Sequence, residues 1–276
     1  AIARLYPQKQ ARRSFVYQLR QEDDLPADFD AEARTIPATN SGYLQTIDNE
    51  GLFKLATERD LLIRLEYRPG DFVASGSTLV RVWPPAAGAE QIANGEGDQD
   101  EDAEHDLAAE INKAFLLGAE RLRLQDVKFA IDQLVEIALR ALSPGINDPF
   151  TAIACVDRLG AALANAAERR IPSGYGYDAD NHLRLITNPV TFEGLVDAAF
   201  NQIRQNSRSS VAVTMRLLET IAVIAAHTRT PADRETLWRQ AILINQGLEA
   251  ALPQESDRQD VQRKFELVRQ AIKDNE

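Results

Sequence analysis

The sequence predicts an α+β protein in which a small β module precedes a larger, mainly α-helical domain. Short apolar–polar alternations between turn-forming residues run through positions 33–85, which is the pattern of β-strands. From Leu107 onward, apolar residues recur at helical spacing and are divided by helix-start signals. Within that helical part, Tyr175, Tyr177 and the alternating run after Asn181 predict a small β-hairpin.

The composition is that of a globular protein with an acidic surface. Of 276 residues, 44% are apolar and 26% are charged, and the net charge is −11. An acidic surface argues against a nucleic-acid partner, because phosphate-backbone binding needs clustered Lys and Arg. The longest apolar run, Val211 to Ala226, contains Arg216 and Glu219, which are both costly in a bilayer. We therefore expect the chain as given to be water-soluble, with no signal peptide.

Residues 1–30 are predicted to form a basic juxtamembrane stalk. Basic segments of this kind lie on the cytoplasmic side of membranes. An ordinary basic helix lying on an acidic body explains the charge equally well. The start at Ala1, without an initiator Met, predicts a fragment of a longer protein. Residues 1–20 have no acidic side chain, and their basic ones are Arg4, Lys9, Arg12, Arg13 and Arg20.

Residues 31–86 are predicted to form the β module. The runs Ser-Gly-Tyr-Leu, Pro-Gly-Asp-Phe-Val and Gly-Ser-Thr-Leu-Val-Arg-Val resemble the half-motifs of the lipoyl- and biotinyl-type barrel-sandwich fold. No Lys stands where those carrier domains are modified, so no cofactor is predicted. The predicted elements are a strand pattern over 33–47, a short helix over 51–60, and strands over 61–67, 72–73 and 79–83. Turns are predicted at 40–42, 68–71 and 75–77.

Residues 87–106 are predicted to be an acidic flexible linker, because their like charges repel one another. Asp98, Asp100 and Asp102 stand at alternate positions, as the first ligands of a calcium-binding loop do. The run lacks the Gly at position six and has Ala109 where the last Glu of a calcium loop belongs, so an EF-hand is excluded.

Residues 107–276 are predicted to form the helical domain. Asp148 before Pro149 predicts a capped helix start. Thr230 with Asp233, and Ser256 with Gln259, are typical of capping boxes. The predicted helices cover 107–120, 126–142, 149–169, 191–205, 208–228, 231–250 and 256–274.

A charged stripe follows the helix predicted over 126–142. Lys128, Asp132, Glu136 and Arg140 stand four residues apart on an otherwise apolar helix. Such a stripe is typical of a solvent-facing ladder of ion pairs. A polar seam that faces a cavity or a partner is the alternative.

A tight turn, Ser143-Pro-Gly-Ile-Asn-Asp-Pro149, joins that helix to the next one. Asn147 and Asp148 then lie at a helix N-terminus, where their side chains can satisfy free backbone N–H groups. Those N–H groups, with Arg140 nearby, could instead receive an anionic ligand. Asp148 would compete with such a ligand.

The sequence around this turn resembles a bacterial predicted-membrane-protein family, domain of unknown function 2254 (DUF2254). The most specific part is Ala-Leu-Ser-Pro-Gly-Ile-Asn-Asp-Pro, and the resemblance covers nearly the whole chain outside the acidic linker. Asp132 and Ala130 depart from the family pattern, which weakens a role for the charged stripe. The other matching runs are 41–48, 68–73, 117–121, 125–126, 133–152, 157–159, 182–186, 192–193 and 202–204.

The resemblance implies several transmembrane helices ahead of Ala1 and a place in the bacterial inner membrane. This chain would then be the soluble C-terminal region, on the cytoplasmic side, with the membrane as its partner through those helices. The preferred hypothesis given below also predicts a homo-oligomer. The resemblance implies no activity.

No catalytic motif stands out, and the histidines lack partners at metal-ligand spacing, so no catalytic or metal residue is predicted. The preferred hypothesis is a non-catalytic domain that regulates or assembles a channel- or transporter-like membrane part. The alternative is an enzyme or binding domain for a small anionic or lipid-derived molecule. It would use the carboxylates of Glu136, Asp148 and Asp157 together with Arg121, Arg140 and Arg204. A third hypothesis is a purely structural scaffold. The candidate functional residues are Arg121, Asp126, Glu136, Arg140, Ser143, Asn147, Asp148, Asp157 and Arg204.

Overall fold

The computed structural model describes residues 16–18, 25–84, 99–122 and 124–275, with no side-chain description for residues 16–18, 99–105 and 249–250. The chain divides into two compact units. The sheet unit contains the described residues up to Asp126 together with Pro172–Pro189. The helical unit contains Val127–Ile171 and the residues from Val190 onward.

The sheet unit contains nine described strands and three helices. The strands are β1 (Val16–Gln18), β2 (Arg34–Pro37), β3 (Gly42–Ile47), β4 (Leu62–Leu65), β5 (Phe72–Val73), β6 (Thr78–Trp83), β7 (Phe115–Gly118), β8 (Tyr175–Tyr177) and β9 (Leu183–Ile186). The helices are α1 (Phe29–Glu32), α2 (Asn49–Glu58) and α3 (Gln99–Lys113).

The strands form two sheets around one core. The larger sheet has the order β1-β8-β9-β4-β6-β2, and the smaller one has the order β5-β3-β7. All pairs are antiparallel except β4 with β9, where Ile63 lies opposite Leu185. Both residues are fully buried, in a core that also takes Leu44 and Val73 from the smaller sheet. The division of strands between two sheets confirms the predicted α+β class.

The turns of the β module form where the sequence predicts them. Gly70 (φ 101°) and Gly76 (φ 82°) have left-handed backbone conformations, which glycine adopts without a steric penalty. Gly70 also leaves room for the carboxylate of Asp126, because a Cβ at position 70 would overlap its Oδ2 atom. The predicted turns at Arg68–Asp71 and Ser75–Ser77 are therefore confirmed.

The helix predicted over 107–120 is wrong at both ends. Helix α3 begins at Gln99, inside the predicted linker, and ends at Lys113. Phe115 continues the helical spacing of Leu107 and Ile111, but it lies in β7, opposite Ile47 of β3. All three side chains are buried, so the apolar pattern could not show where the helix ends.

The predicted domain boundary at residue 107 also differs from the observed units. Residues 107–126 and the hairpin β8–β9 belong to the sheet unit. The hairpin was predicted correctly as an element, but its strand β9 pairs with β4 of the β module. Pairing between strands so far apart in the sequence cannot be predicted from a local sequence pattern.

Parts of two predicted segments lie outside the described residues. Within the stalk 1–30, the described residues form the edge strand β1 and the start of α1. Residues 1–15 and 19–24 are outside the described part of the chain, as are residues 85–98, which include most of the predicted linker. For these residues the stalk and the linker stay predictions.

The helical unit has seven helices in its described residues. Its core contains the apolar faces of all the long helices, including Val135, Leu159, Phe200, Leu217 and Val268. The helices are α4 (Val127–Ala141), α5 (Pro149–Ala167), α6 (Phe192–Asn206), α7 (Val211–Ala225), α8 (Pro231–Asn245), α9 (Leu248–Ala251) and α10 (Glu255–Lys273).

Side-chain caps fix three of these helix starts. Asp148 accepts hydrogen bonds from the backbone of α5, Thr191 from that of α6 and Thr230 from that of α8. These contacts satisfy N–H groups that have no partner inside the helix. The start predicted at Ser256 is wrong, because α10 begins at Glu255 after Gln254, whose side chain makes no capping bond.

Helix α5 packs against α4, α6 and α7. Among the described residues, it alone is long and apolar enough to cross a membrane by length and composition, and half of it is buried inside the helical unit. A core helix of a soluble protein passes the same test of length and composition.

Helices α5 and α7 run in the same direction and approach closely at Gly160. Asp157 pairs with Arg216, and Gly160 faces Thr220 one turn further along both helices. A Cβ at position 160 would overlap the Cγ2 atom of Thr220, whose side chain is buried. Glycine at this position therefore sets the distance between the two helices.

We predict that Gly160→Ala destabilises the wild-type protein but not a Thr220→Ser variant. Alanine favours a helix by about 1 kcal/mol over glycine, whereas overpacking a core costs about 1–3 kcal/mol. Chemical unfolding followed by circular dichroism should give a coupling energy of about 1–3 kcal/mol between the two substitutions. Additive effects would contradict the close packing of these helices.

Candidate ligand-binding site

The candidate residues from the sequence do not meet at one place. Arg121 and Asp126 belong to the sheet unit, and the other seven belong to the helical unit. Most of them hold the fold together, as their individual contacts show.

Arg121 and Asp126 form an ion pair inside the sheet unit. The Nη2 atom of Arg121 lies 2.7 Å from Oδ2 of Asp126, and the Nε atom donates to the same oxygen at 2.8 Å. Asp126 is only 2% exposed, and its carboxylate also packs against Gly70. A buried carboxylate needs such a partner because its desolvation is costly. The pair therefore has a structural role.

Glu136 and Arg140 form an exposed ion pair on α4. Their atoms Oε1 and Nη2 are 2.5 Å apart, and both side chains are mostly solvent-accessible. This pair agrees with the predicted solvent-facing ladder of ion pairs. Exposed ion pairs of this kind contribute little to the stability of the fold. Asp157 pairs instead with Arg216, at 3.2 Å. Within the described residues no contact joins Glu136 to Asp157.

The turn before α5 is held by its own side chains. Ser143 donates its hydroxyl to the carbonyl of Arg140, and Asn147 adopts a left-handed φ of 48°. Asp148 accepts from the backbone N–H groups of Phe150 and Thr151, and from the Thr151 hydroxyl. The capping role of Asp148 is therefore confirmed, and its carboxylate occupies the position that an anionic ligand would need.

These contacts lower the pKa of Asp148. The largest cause is the hydrogen bond from the Thr151 hydroxyl, followed by the one from the Thr151 backbone, since both stabilise the ionised carboxylate. The ionised form is thus favoured in the folded state. Its contribution to stability is present above the ordinary Asp pKa and is lost as the pH falls through the lowered pKa.

Arg204 lines a small cavity in the helical unit. The cavity has about 20 Å³ of space for the centre of a water molecule and opens to solvent. That is room for a water molecule or a small polar group. It is lined by Arg204, Ser207, Arg208, Thr214, Leu217, Leu243, Ile244, Gly247, Leu248 and Ala251.

Two hydrogen-bond donors of this cavity have no partner within the described part of the chain. They are the buried Nε of Arg204 and the hydroxyl of Ser207, a residue that is 1% exposed. Most buried polar groups in proteins are hydrogen-bonded, because leaving them unsatisfied costs free energy. The cavity is therefore suited to a ligand that accepts hydrogen bonds.

The charge around the cavity is positive. Burial lowers the pKa of Arg204, and the neighbouring cations Arg208 and Arg239 lower it further, while Asp197 opposes them. Asp197 already accepts hydrogen bonds from Arg239 and Gln240, both at 2.8 Å. The carboxylate of Asp197 therefore already has hydrogen-bond donors other than Arg204.

The sequence alone could not assemble this site. The sequence predicts Arg204 as a partner of Glu136, Asp148 and Asp157. The structure places those three carboxylates in other contacts. Ser207 and Arg208 lie just beyond the end of α6, so helical spacing could not place their side chains beside that of Arg204. The apolar wall comes from α7, α8 and α9, and no local pattern predicts that these meet Arg204.

No group of three or more His, Cys, Asp or Glu residues able to hold a metal occurs among the described residues. Cys155 is buried, and burial raises the pKa of its thiol. A buried thiol with a raised pKa lacks the exposure and the thiolate character that a reactive cysteine needs.

Comparison with known proteins finds relatives over most of the chain. The family model described as "Predicted membrane protein (DUF2254)" matches residues 2–223. An uncharacterized protein of Mycobacterium bovis and one of Mycobacterium tuberculosis are each 30% identical over 233 residues, which is 83% of this chain and 42% of the relative. The chain thus spans less than half the length of these relatives. No solved structure matches it.

We predict that Asp148→Ala lowers the melting temperature most at neutral pH. The difference from the wild type should begin to shrink as the pH falls below the ordinary Asp pKa of 3.8, because Asp148 of the unfolded wild type then takes up a proton. It should keep shrinking until the pH passes the lowered pKa of the folded carboxylate. Thermal unfolding between pH 7 and pH 3 measures this. Thr151→Val is the control, since it removes the hydroxyl bond alone and should have a smaller effect. An equal difference at every pH would contradict the role of the ionised cap.

Proposed function

Because the chain belongs to the DUF2254 family of predicted membrane proteins, we propose that it is the water-exposed, non-catalytic region of a bacterial multi-pass membrane protein. In this proposal it regulates or assembles a channel- or transporter-like membrane part. The observation that carries the proposal is the packing of α5. Although this helix is apolar and long enough to span a bilayer, half of it is buried in the core of the helical unit.

The surface of helix α10 supports the proposal that the helical unit is exposed to water. Helix α10 buries Val261, Phe265 and Val268, and ion pairs lie elsewhere on its surface. Arg263 pairs with Asp260, and Arg269 pairs with Glu266. An amphipathic helix of this kind packs one face on a core and exposes the other to solvent.

The non-catalytic part of the proposal rests on the contacts of the candidate carboxylates. Glu136 and Asp157 pair with arginines on exposed surfaces, and Asp148 caps a helix. None of these carboxylates is in the cavity lining, where a catalytic acid or base would have to be. Of the residues in the alternative hypothesis, Arg204 alone lines the cavity, which favours binding over catalysis.

We place the membrane-spanning segments ahead of this region and the region itself on the cytoplasmic side of the inner membrane. The support is the excess of Lys and Arg among residues 1–20, since such residues stay on the cytoplasmic side. The length of the relatives leaves room for further segments, because this chain corresponds to 42% of them.

We propose that a second copy of the chain covers an apolar patch at the turn before α5. The patch consists of Ile146 and Phe150, which are 57% and 79% exposed. Large apolar side chains at one exposed turn are typical of a contact surface. Symmetric homodimers are the commonest assemblies that cover such a surface.

The sidedness of the region can be tested with a single exposed thiol. The native Cys155 is buried, so Ser256→Cys on the exposed start of α10 adds the only accessible thiol in the described part of the chain. In intact cells that make the whole membrane protein, a membrane-impermeant maleimide should not label this thiol. Permeabilised cells should show labelling, and the wild type is the control in both. Labelling in intact cells would contradict the cytoplasmic placement.

The proposed self-association can be tested with Phe150→Ser. We expect this exposed substitution to lower the solution mass measured by light scattering and to leave the melting temperature nearly unchanged. Val223→Thr is a matched control, because Val223 is also exposed (58%) and lies three residues beyond Thr220 on α7. This places it roughly 20 Å along the helix pair from Phe150. An unchanged mass in both variants would contradict the proposed interface.

A further inference from the structure

We propose that the cavity lined by Arg204, Ser207 and Arg208 binds a phosphate group. This goes beyond the membrane-linked role proposed above and does not depend on it. The cavity lies within the helical unit, so all of its walls come from one compact body.

The first argument is the arrangement of donors at the end of α6. Arg204 lies in the last turn of α6, Ser207 and Arg208 follow the end of that helix, and all three line the cavity. The buried Nε of Arg204 and the Ser207 hydroxyl have no hydrogen-bond partner within the described residues. A ligand that accepts hydrogen bonds would satisfy both.

The second argument is the rigidity of Ser207. Its backbone N–H donates to Ile203, and its carbonyl accepts from the Ser210 backbone and from the Thr214 hydroxyl. The backbone of Ser207 is thus fully occupied, and its side chain is held in the cavity wall. The hydroxyl is therefore positioned before any ligand arrives, which lowers the entropic cost of binding.

The third argument is charge. Arg204 and Arg208 take part in no ion pair formed by the described residues, whereas Arg239 is paired with Glu193 and Asp197. Asp197 acts on Arg204 electrostatically, but its hydrogen bonds are with Arg239 and Gln240. Guanidinium groups bind phosphate with two parallel hydrogen bonds each. Three donor groups also suit the several oxygens of a phosphate better than the two of a carboxylate.

The fourth argument concerns size and the apolar wall. About 20 Å³ accommodates one or two oxygen atoms but not a whole ligand, so the rest of the molecule would lie at the mouth beside the exposed Arg208. Leu217, Leu243 and Leu248 form the apolar part of the lining. The phosphate group could therefore come from inorganic phosphate or a soluble ester, or from the headgroup of an anionic lipid.

The test is isothermal titration of the 276-residue chain with inorganic phosphate at low ionic strength. Arg204→Gln should weaken binding at least about tenfold, because it removes charge-assisted hydrogen bonds. Ser207→Ala should weaken it by a smaller factor. Arg216→Gln is the matched control, since Arg216 is a half-exposed arginine on α7 that already pairs with Asp157, and this variant should bind as the wild type does.

Co-sedimentation with vesicles separates the two sources of phosphate. We would compare vesicles of phosphatidylglycerol and phosphatidylcholine with vesicles of pure phosphatidylcholine. Loss of sedimentation in Arg204→Gln but not in Arg216→Gln would support a lipid headgroup, and phosphate binding without vesicle binding would support a soluble source.

Three results would overturn the proposal. The first is the absence of binding to both probes. The second is binding that Arg204→Gln leaves unchanged while circular dichroism shows that this variant is folded. The third is acetate binding as strong as that of phosphate, which would assign the cavity to carboxylates instead.

Discussion

The burial of α5 among α4, α6 and α7 is the constraint on which the helical unit depends. Its apolar length is stable in water only because neighbouring helices cover half of it. Two local features make this possible. Asp148 fixes where the helix starts, and Gly160 lets α7 approach closely enough to exclude water. A composition that could suit a membrane thus forms part of a packed core in this structure.

The chain crosses between the two units more than once. It leaves the sheet unit after Asp126, returns to it at Pro172 and enters the helical unit again at Val190. The returning segment supplies β9, which adds the parallel pair with β4 to an otherwise antiparallel sheet. The fold of the sheet unit therefore requires residues from the middle of the helical sequence. A fragment ending before Pro172 would lack two of its strands, so the chain is best treated as one folding entity.

Local signals predicted the elements well and their associations poorly. A few neighbouring residues determine each element that was predicted correctly. These elements are the helix starts at Asp148–Pro149 and Thr230–Pro231, the turns at Gly70 and Gly76, and the hairpin. Strand β7 was missed because Phe115 kept the helical spacing of Leu107 and Ile111, and its partner β3 is far away in sequence. The cavity was missed for the same reason. Arg204 was identified, but the helices that enclose it come together only in three dimensions.

The central claim is that α5 is a packed core helix in water, and hydrogen exchange of its backbone amides tests this most directly. In the 276-residue chain, without detergent, the amides of Ala152 to Ala166 should exchange as slowly as those of α7 and belong to the most protected class. Adding lipid vesicles should leave their rates unchanged. Rapid exchange in buffer, with protection gained only when vesicles are present, would show that α5 needs a membrane and would contradict the account.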